Sequence, residues 1–340
     1  MKIKVAQLTC VYPPYGGGIG RVAYDYASWL KDDYQVTVFT PRYHKGQTFL
    51  NNPGVSLQTF RPAISFGKAA LWPGLKGWLK YFDIVHLHYP WFGVQEWLPY
   101  LPKSIKLLIS YHMKPLAPGL KGWLFNLDRR LFENELLKRA DILLCSTQDY
   151  LNGVIKPSSE FINKWHVLPF APDNQFKPQA ADLNLKNSLG IKSHESVILF
   201  VGTLDKAHYF KGLNILLMAA AQLRQPFKIL LVGGGDKKIY KNLAEDLGII
   251  DRLVFAGYVP DKKLPAYYNL ADVLVFPSLN QSESFGLVAL QAMASAKPVI
   301  ASKLAGVQEL IKDGENGLLV SPGNVNSLAL ALDGLLDAPD

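Results

Sequence analysis

At 340 residues, 49% of them hydrophobic and 19% charged, the chain has the length for two ordinary domains and is too apolar to remain disordered. No apolar run reaches the roughly 18 residues of a membrane span, and the opening Met1-Lys-Ile-Lys-Val-Ala-Gln-Leu enters a strand-like pattern without a cleavable hydrophobic leader. Cys10 and Cys145 stand far apart, a usage that suits a reducing cytoplasm and offers neither a disulfide framework nor a zinc site.

The net charge of +8 is unevenly spread: residues 1–180 hold 21 Lys and Arg against 12 Asp and Glu, and residues 181–340 hold 15 against 16. A basic first half suits an acidic partner. Scattered charge without a nucleic-acid-binding motif argues against nucleic acid. An anionic membrane face or a phosphate-bearing acceptor fits better, with ordinary solvated surface as the plain alternative.

In chain order, Ile3–Thr9 reads as a buried strand, Cys10–Gly18 as a loop and Ile19–Leu30 as a helix. The loop, Tyr12-Pro-Pro-Tyr-Gly-Gly-Gly18, can bring bare backbone N–H groups against a phosphate. Gly16, Gly18 and Gly20 give G-x-G-x-G, a poor dinucleotide fingerprint, and no acid closes the next strand at Val36–Thr40, so a nicotinamide enzyme is disfavoured. Further strands are predicted at Val55–Phe60, Ile84–His88, Ile105–Tyr111 and Ile142–Ser146. Short apolar strands alternating with helices imply a parallel sheet covered on both faces, with ligands beyond the carboxyl ends of strands.

Two predicted strands end in histidine, Asp83-Ile-Val-His-Leu-His88 and Leu108-Ile-Ser-Tyr-His112. His86 and His88 share a face, but no third ligand is near in sequence, so a hydrogen-bonded structural role suits His86 better than a metal. Residues 115–139 mix Leu116, Trp123, Leu124, Phe125, Leu131 and Phe132 with Lys121, Arg129, Arg130, Lys138 and Arg139. Such a stretch either lies on a bilayer surface or is a domain helix with its apolar face in the core.

Val167-Leu-Pro-Phe-Ala-Pro-Asp-Asn-Gln-Phe-Lys-Pro178 carries three prolines and marks a domain boundary, giving domains of residues 1–175 and 176–340. A second strand–helix series follows: strands at Val197–Gly202, Phe227–Val232, Leu253–Ala256, Ala271–Phe276 and Pro298–Ala301, and helices at Leu213–Leu223 and near Lys238–Leu247. Further helices are expected to begin at Ala305–Ile311 and at Asn326–Leu336. The stretch Ser282–Lys297, S-E-S-F-G-L-V-A-L-Q-A-M-A-S-A-K, sets Glu283, Ser284, Phe285 and Gly286 where a strand ends and a helix begins. A helix start offers unpaired N–H groups to a phosphate or a sugar hydroxyl, and an acid there also simply complements the dipole. Two consecutive parallel α/β units without a Walker motif argue for two Rossmann-like domains.

Glu283 with Phe285-Gly286 resembles the donor-sugar motif of family 4 glycosyltransferases. The glycine loop, Phe200-Val-Gly-Thr-Leu-Asp with Lys211-Gly212, and Ala305-Gly-Val-Gln-Glu-Leu-Ile with Asp313-Gly-Glu-Asn-Gly317 extend the resemblance over essentially the whole chain. It implies the GT-B fold, two facing Rossmann-like domains with a cleft: an acceptor-side domain first and a nucleotide-sugar donor domain second. It also implies retaining transfer from a UDP- or GDP-linked sugar to a glycan or lipid-linked acceptor, without a required metal or other cofactor. No Asp-x-Asp pair is present to hold a metal. The expected location is cytoplasmic, peripheral at the inner face of the membrane.

By the same resemblance Glu283 holds the sugar hydroxyls, His112 attends the junction of donor sugar and acceptor, and Lys211 stabilises the departing diphosphate. Gly16, Gly17, Thr203, Lys206, Ser284, Phe285, Gly286, Leu287 and Gln291 complete the implied donor site. Two positions depart from the pattern. Thr203 stands where an Arg commonly grips the diphosphate, a loss that Lys206 or His208 in the long loop Asp205–Lys211 can offset. Gln291 stands where a Glu usually binds the ribose hydroxyls, and weaker nucleotide grip is expected. The chain also ends where the family normally continues for a few dozen residues. These departures keep open a catalytically weakened nucleotide-sugar or glycan-binding protein of the same fold.

Overall fold

The computed structural model describes residues 2–14, 17–116, 119–283 and 285–337, and the side chains of Leu120, Lys121 and Ala207 are left out. The chain divides into two compact units, Met1–Phe170 and Ala171–Asp340.

In the first unit the regular elements are β1 (Lys4–Leu8), α1 (Gly18–Leu30), β2 (Gln35–Pro41), β3 (Ser56–Phe60), a hairpin of β4 (Ile64–Phe66) and β5 (Ala69–Leu71), β6 (Ile84–Tyr89), β7 (Lys106–Tyr111), α2 (Gly119–Asp128), α3 (Asn134–Arg139), β8 (Ile142–Cys145) and β9 (Trp165–Val167). Seven strands form a parallel sheet in the order β3-β2-β1-β6-β7-β8-β9. Val36, Val38 and Phe39, with Val85, Leu87, Leu107 and Ile109, are buried, as expected of strands covered on both faces.

In the second unit they are β10 (Ser196–Val201), α4 (Leu213–Ala220), β11 (Phe227–Val232), α5 (Lys238–Asp246), β12 (Leu253–Gly257), α6 (Leu264–Leu270), β13 (Val273–Phe276), α7 (Leu287–Ala294), β14 (Val299–Ser302), β15 (Gly317–Val320) and α8 (Val325–Asp337). The sheet is again parallel, in the order β12-β11-β10-β13-β14-β15. Alternate residues of β10 feed opposite cores: Ile198 and Phe200 pack with Leu216, Leu217 and Leu332, while Val197 and Leu199 pack with Tyr268, Ala289 and Ala292.

Both sheets reverse their order at one seam, between β1 and β6 in the first unit and between β10 and β13 in the second. Loops leaving the carboxyl ends of the two seam strands diverge in winding and frame a crevice. The two parallel α/β units thus follow the fold class expected from the strand–helix alternation.

Several segments differ from expectation or were not foreseen. Ala305–Leu310 is a set of turns, not a helix, with Gly306 in the left-handed region (φ 91°) interrupting any helical run. β9, β15 and the β4–β5 hairpin are too short to carry a periodicity. The 115–139 stretch forms α2, a π-helical turn at Arg129–Glu133, and α3; among its described residues only Leu136 and Leu137 reach the core, and Trp123 is 59% exposed.

The seam of the second unit is tight. Gly212 sits at φ 70°, and an added Cβ would run into the Pro277 carbonyl. We expect Gly212→Ala to lower the urea unfolding free energy by about 2–4 kcal/mol. Gly190→Ala, also at positive φ but facing open space, is expected to cost only about 1–2 kcal/mol. Equal losses would show that the Pro277 contact carries no weight.

Candidate active site

The loops after β10 and β13 carry the residues of the second unit. After β10 come half-buried Thr203, then Asp205, which accepts a hydrogen bond from the His208 backbone N–H (3.0 Å) and starts a short 3-10 helix, Lys206–Lys211. After β13 the chain turns through Pro277–Ser282, where the Ser282 N–H donates to Asn280 Oδ1 (3.0 Å). The Leu279 N–H donates to the Phe210 carbonyl at 2.7 Å, tying one loop to the other by backbone.

This join brings Lys211 Nζ to 3.0 Å from Glu283 Oε2, with side chains only 18% and 21% exposed. A lysine and a carboxylate 72 residues apart thus meet at the seam. Phe285 is buried, Gly286 caps α7 in the left-handed conformation (φ 84°), and Leu287 is the first residue of that helix. Gln291, one turn on, uses Oε1 to accept a 2.8 Å bond from the Tyr268 hydroxyl. That partner was not legible in sequence, and it takes up part of the acceptor capacity ascribed to Gln291. His208 turns its Nδ1 to Asp205 Oδ1 at 2.6 Å, whereas Lys206 is exposed. Ser284 and Gly16 lie outside the described residues.

In the first unit Gly17 is the N-cap of α1. A Cβ built there would lie 3.5 Å from Lys68 Nζ, so a cation from the β4–β5 hairpin stands beside the glycine loop. No motif pointed to Lys68, because only the hairpin turn brings it there. His112 follows β7, with its N–H donating to the Tyr89 carbonyl (3.1 Å). His112 Nε2 is 2.8 Å from His88 Nδ1, and Phe170 stacks on its ring at 5.8 Å. His86 Nε2 meets Ser110 Oγ at 2.8 Å, and Tyr26 of α1 lies against both His86 and His88.

Burial pushes the His112 imidazole down to about 3. Burial, and then the His112 ring, does the same to His86, also to about 3. His88 lies well below the ordinary range through burial, reinforced by both neighbours. All three rings are therefore neutral at physiological pH. Among the described residues no group of three or more His, Cys, Asp and Glu is placed to hold a metal ion, and no helix is long and apolar enough to cross a membrane.

Residues 182–340 match the Glycosyl transferases group 1 family, and residues 17–170 match the Glycosyl transferase 4-like domain. The chain belongs to the group 1 glycosyltransferases. It is 33% identical over 273 residues to a D-inositol 3-phosphate glycosyltransferase of Corynebacterium glutamicum, covering 75% of this chain and 64% of that one. The chain thus matches less than two thirds of the length of these curated relatives. An uncharacterized glycosyltransferase of Methanocaldococcus jannaschii is 39% identical over 157 residues, 45% of this chain and 39% of the relative. Among solved structures, Anabaena HepE with UDP and glucose superposes with a TM-score of 0.78 at 22% identity, over 99% of this chain and 90% of that one. Sucrose-phosphate synthase of Thermosynechococcus elongatus gives 0.75 at 23%, with the same coverages. These likenesses establish a shared GT-B fold.

Neutral buried histidines make a glycosyltransferase fold of this kind acid-sensitive. The unfolded chain protonates histidine below about pH 6.5 while folded His86 resists until about 3, so its stabilisation is complete above pH 6.5 and drains away as the pH falls. Glu96, raised to about 7 chiefly by burial, works in the opposite sense. It is common to wild type and variant and cancels in their difference. His86→Leu is expected to shrink the stability lost between pH 7 and pH 5 by about 2 kcal/mol. Urea titrations at the two pH values check this, and an unchanged difference would mean that folded His86 titrates normally.

Proposed function

We propose that the protein transfers a sugar from a nucleotide-diphosphate sugar to a glycan or lipid-linked acceptor, with retention of configuration and without a required metal. The observation that supports this reading most is the Lys211–Glu283 pair at the seam of the second unit, 3.0 Å apart and largely shielded from water. A bound diphosphate offers Lys211 more negative charge than one carboxylate does. Donor binding then draws the ammonium to the phosphates and leaves Glu283 to accept hydrogen bonds from sugar hydroxyls. As the glycosidic bond breaks, charge grows on the diphosphate, and a positioned cation stabilises it there. His112 attends the sugar. Double displacement needs a carboxylate beside the anomeric carbon. Glu283, engaged with ring hydroxyls, is poorly suited to that task, so attack from the face of the departing phosphate is preferred.

HepE has been solved with UDP-glucose, which makes a uridine donor the first to test. The name of the corynebacterial relatives points to a phosphate-bearing alcohol as acceptor, and the basic first half suits an anionic one. A membrane-borne acceptor draws support from the surface of the first unit. Ile64 and Phe66 of the hairpin are each 69% exposed, and Trp123, Leu124 and Leu131 are exposed around α2. The hairpin and α2 are joined through Phe92, whose carbonyl accepts from the Ala70 N–H (3.0 Å) and whose ring stacks on Phe125 at 5.0 Å. Exposed apolar rings among Lys68, Arg129 and Arg130 suit a peripheral seat on anionic lipid at the cytoplasmic face.

The Gln291–Tyr268 bond favours a second reading, a nucleotide-sugar-binding protein with weakened catalysis, because a neutral amide already engaged grips ribose less firmly than a carboxylate.

Calorimetric titration of UDP, GDP and ADP without magnesium tests the donor site. One nucleotide is expected to bind, and its sugar conjugate to bind more tightly. Glu283→Ala should abolish only the sugar's gain, and Lys211→Met should weaken the nucleotide itself by about tenfold or more. Binding without transfer to any acceptor would favour the second reading, and no binding at all would sink both. In vesicle flotation, the protein is expected to rise with phosphatidylglycerol vesicles and not with phosphatidylcholine alone, and Phe66→Ser with Trp123→Ser to abolish it. Equal recovery with both lipids would remove the anionic-surface proposal.

A further inference from the structure

His88 is the histidine that the transfer reading leaves without a task. It is fully buried on β6, on the same face as His86, and register sets it beside Ser110 of β7. Its Nδ1 lies 2.8 Å from His112 Nε2, the two rings are within 10° of coplanar, and their centroids are 5.1 Å apart. That separation is what a 2.8 Å N···N bond gives when it lies along the line joining the ring centres. The lone pair of one nitrogen therefore points straight at the proton of the other, the best alignment such a bond can have.

One proton occupies this bond, and its owner decides the chemistry of His112. If His112 donated from Nε2, His88 would keep its own proton on Nε2. That atom is buried and has no hydrogen-bond partner among the described residues. An N–H would then be shut away from every acceptor, the rarer and costlier form of unsatisfied polar group. In the opposite sense the orphan on His88 is only a lone pair. His86 repeats the pattern: its Nε2 faces Ser110 Oγ and its Nδ1 is the unpartnered atom, so donation from Nε2 again leaves a lone pair and not an N–H.

We propose that His88 donates its Nδ1 proton to His112 Nε2 and so holds His112 as the neutral tautomer protonated at Nδ1. His88 is thus a positioning residue. His112 enters the reaction as a fixed hydrogen-bond donor through Nδ1–H, suited to an oxygen of the donor sugar or of the acceptor. It is not the general base that takes the acceptor proton, because its basic nitrogen is the one that His88 occupies. This inference rests on the reading of His112 as a residue of the transfer site.

Long-range proton–nitrogen correlation spectra of the full chain with nitrogen-15 histidine, assigned through the single variants, read the tautomers directly. At pH 7 both His88 and His112 are expected to carry the proton on Nδ1 only. A His112 protonated at Nε2 would overturn the proposal. Two variants separate positioning from packing. Asparagine sets an amide N–H close to where the histidine Nδ1–H was, whereas leucine offers none. His88→Leu is expected to lose the single His112 tautomer and, in a UDP-sugar transfer assay, to lower kcat by about tenfold or more with the donor KM little changed. His88→Asn should restore both the tautomer and most of kcat. Equal losses in both variants with the His112 tautomer intact would make His88 a packing residue only. If the tautomers are as stated but wild type transfers no sugar, the link between the two histidines stands and the transferase reading fails.

Discussion

The loops that leave β10 and β13 have nowhere to go except against each other. Their strands are neighbours in the sheet, yet the chain winds away from them in opposite directions, towards β11 on one side and β14 on the other. The backbone bond from Leu279 to Phe210 and the close approach of Gly212 to Pro277 lock this meeting before any side chain takes part. Lys211 and Glu283 are consequences of that lock. Each extends from a loop held by main-chain contacts, so their 3.0 Å separation does not depend on two flexible side chains finding one another across solvent.

The pair also solves a problem of charge. A lysine held alone in a partly shielded crevice is poorly solvated, and a carboxylate alone would repel a diphosphate. Held together they are nearly neutral, and in the proposed reaction the better anion displaces the weaker. The rest of the seam adds little positive charge. Thr203 has none, His208 is turned to Asp205, and Lys206 is exposed. Gln291 is neutral and shares its oxygen with Tyr268. If the proposed donor binds here, its diphosphate therefore leans mainly on Lys211 for positive charge.

Much of this was legible in the residues because it is local. Strand–helix alternation, strand ends and the E-x-F-G stretch depend on patterns of a few residues, and the long buried strands appear with bounds close to those expected. What escaped depends on contacts between distant segments. Lys68 reaches Gly17 only through a hairpin of two three-residue strands, too short to show alternation. Tyr268 meets Gln291 because α6 packs beside α7, and neither residue alone announces it. The expected helix at Ala305–Ile311 failed at a single residue, where Gly306 takes a backbone conformation that apolar spacing cannot reveal. The aromatic stretch at residues 115–139 kept its two readings in sequence because amphipathic helices that face a core and those that face a surface have the same period. Burial of Leu136 and Leu137 assigns the end of that stretch to the core, whereas Trp123 and Leu131 stay exposed.

His86, His88 and His112 show the same logic with the opposite electrostatics. The second unit keeps a charged pair at its seam. The first buries three imidazoles at neutral pH beneath Tyr26 and Phe170 and ties them by single hydrogen bonds. Burial costs acid stability, since the unfolded chain takes up protons that the folded one refuses. In return the rings stay uncharged at neutral pH. A neutral N–H with a fixed direction can discriminate among sugar hydroxyls by geometry, which a diffuse positive charge cannot do. Within this reading, the division of labour follows from solvent access: the partly shielded loop ends of one unit handle charge, and the dry strand ends of the other handle orientation.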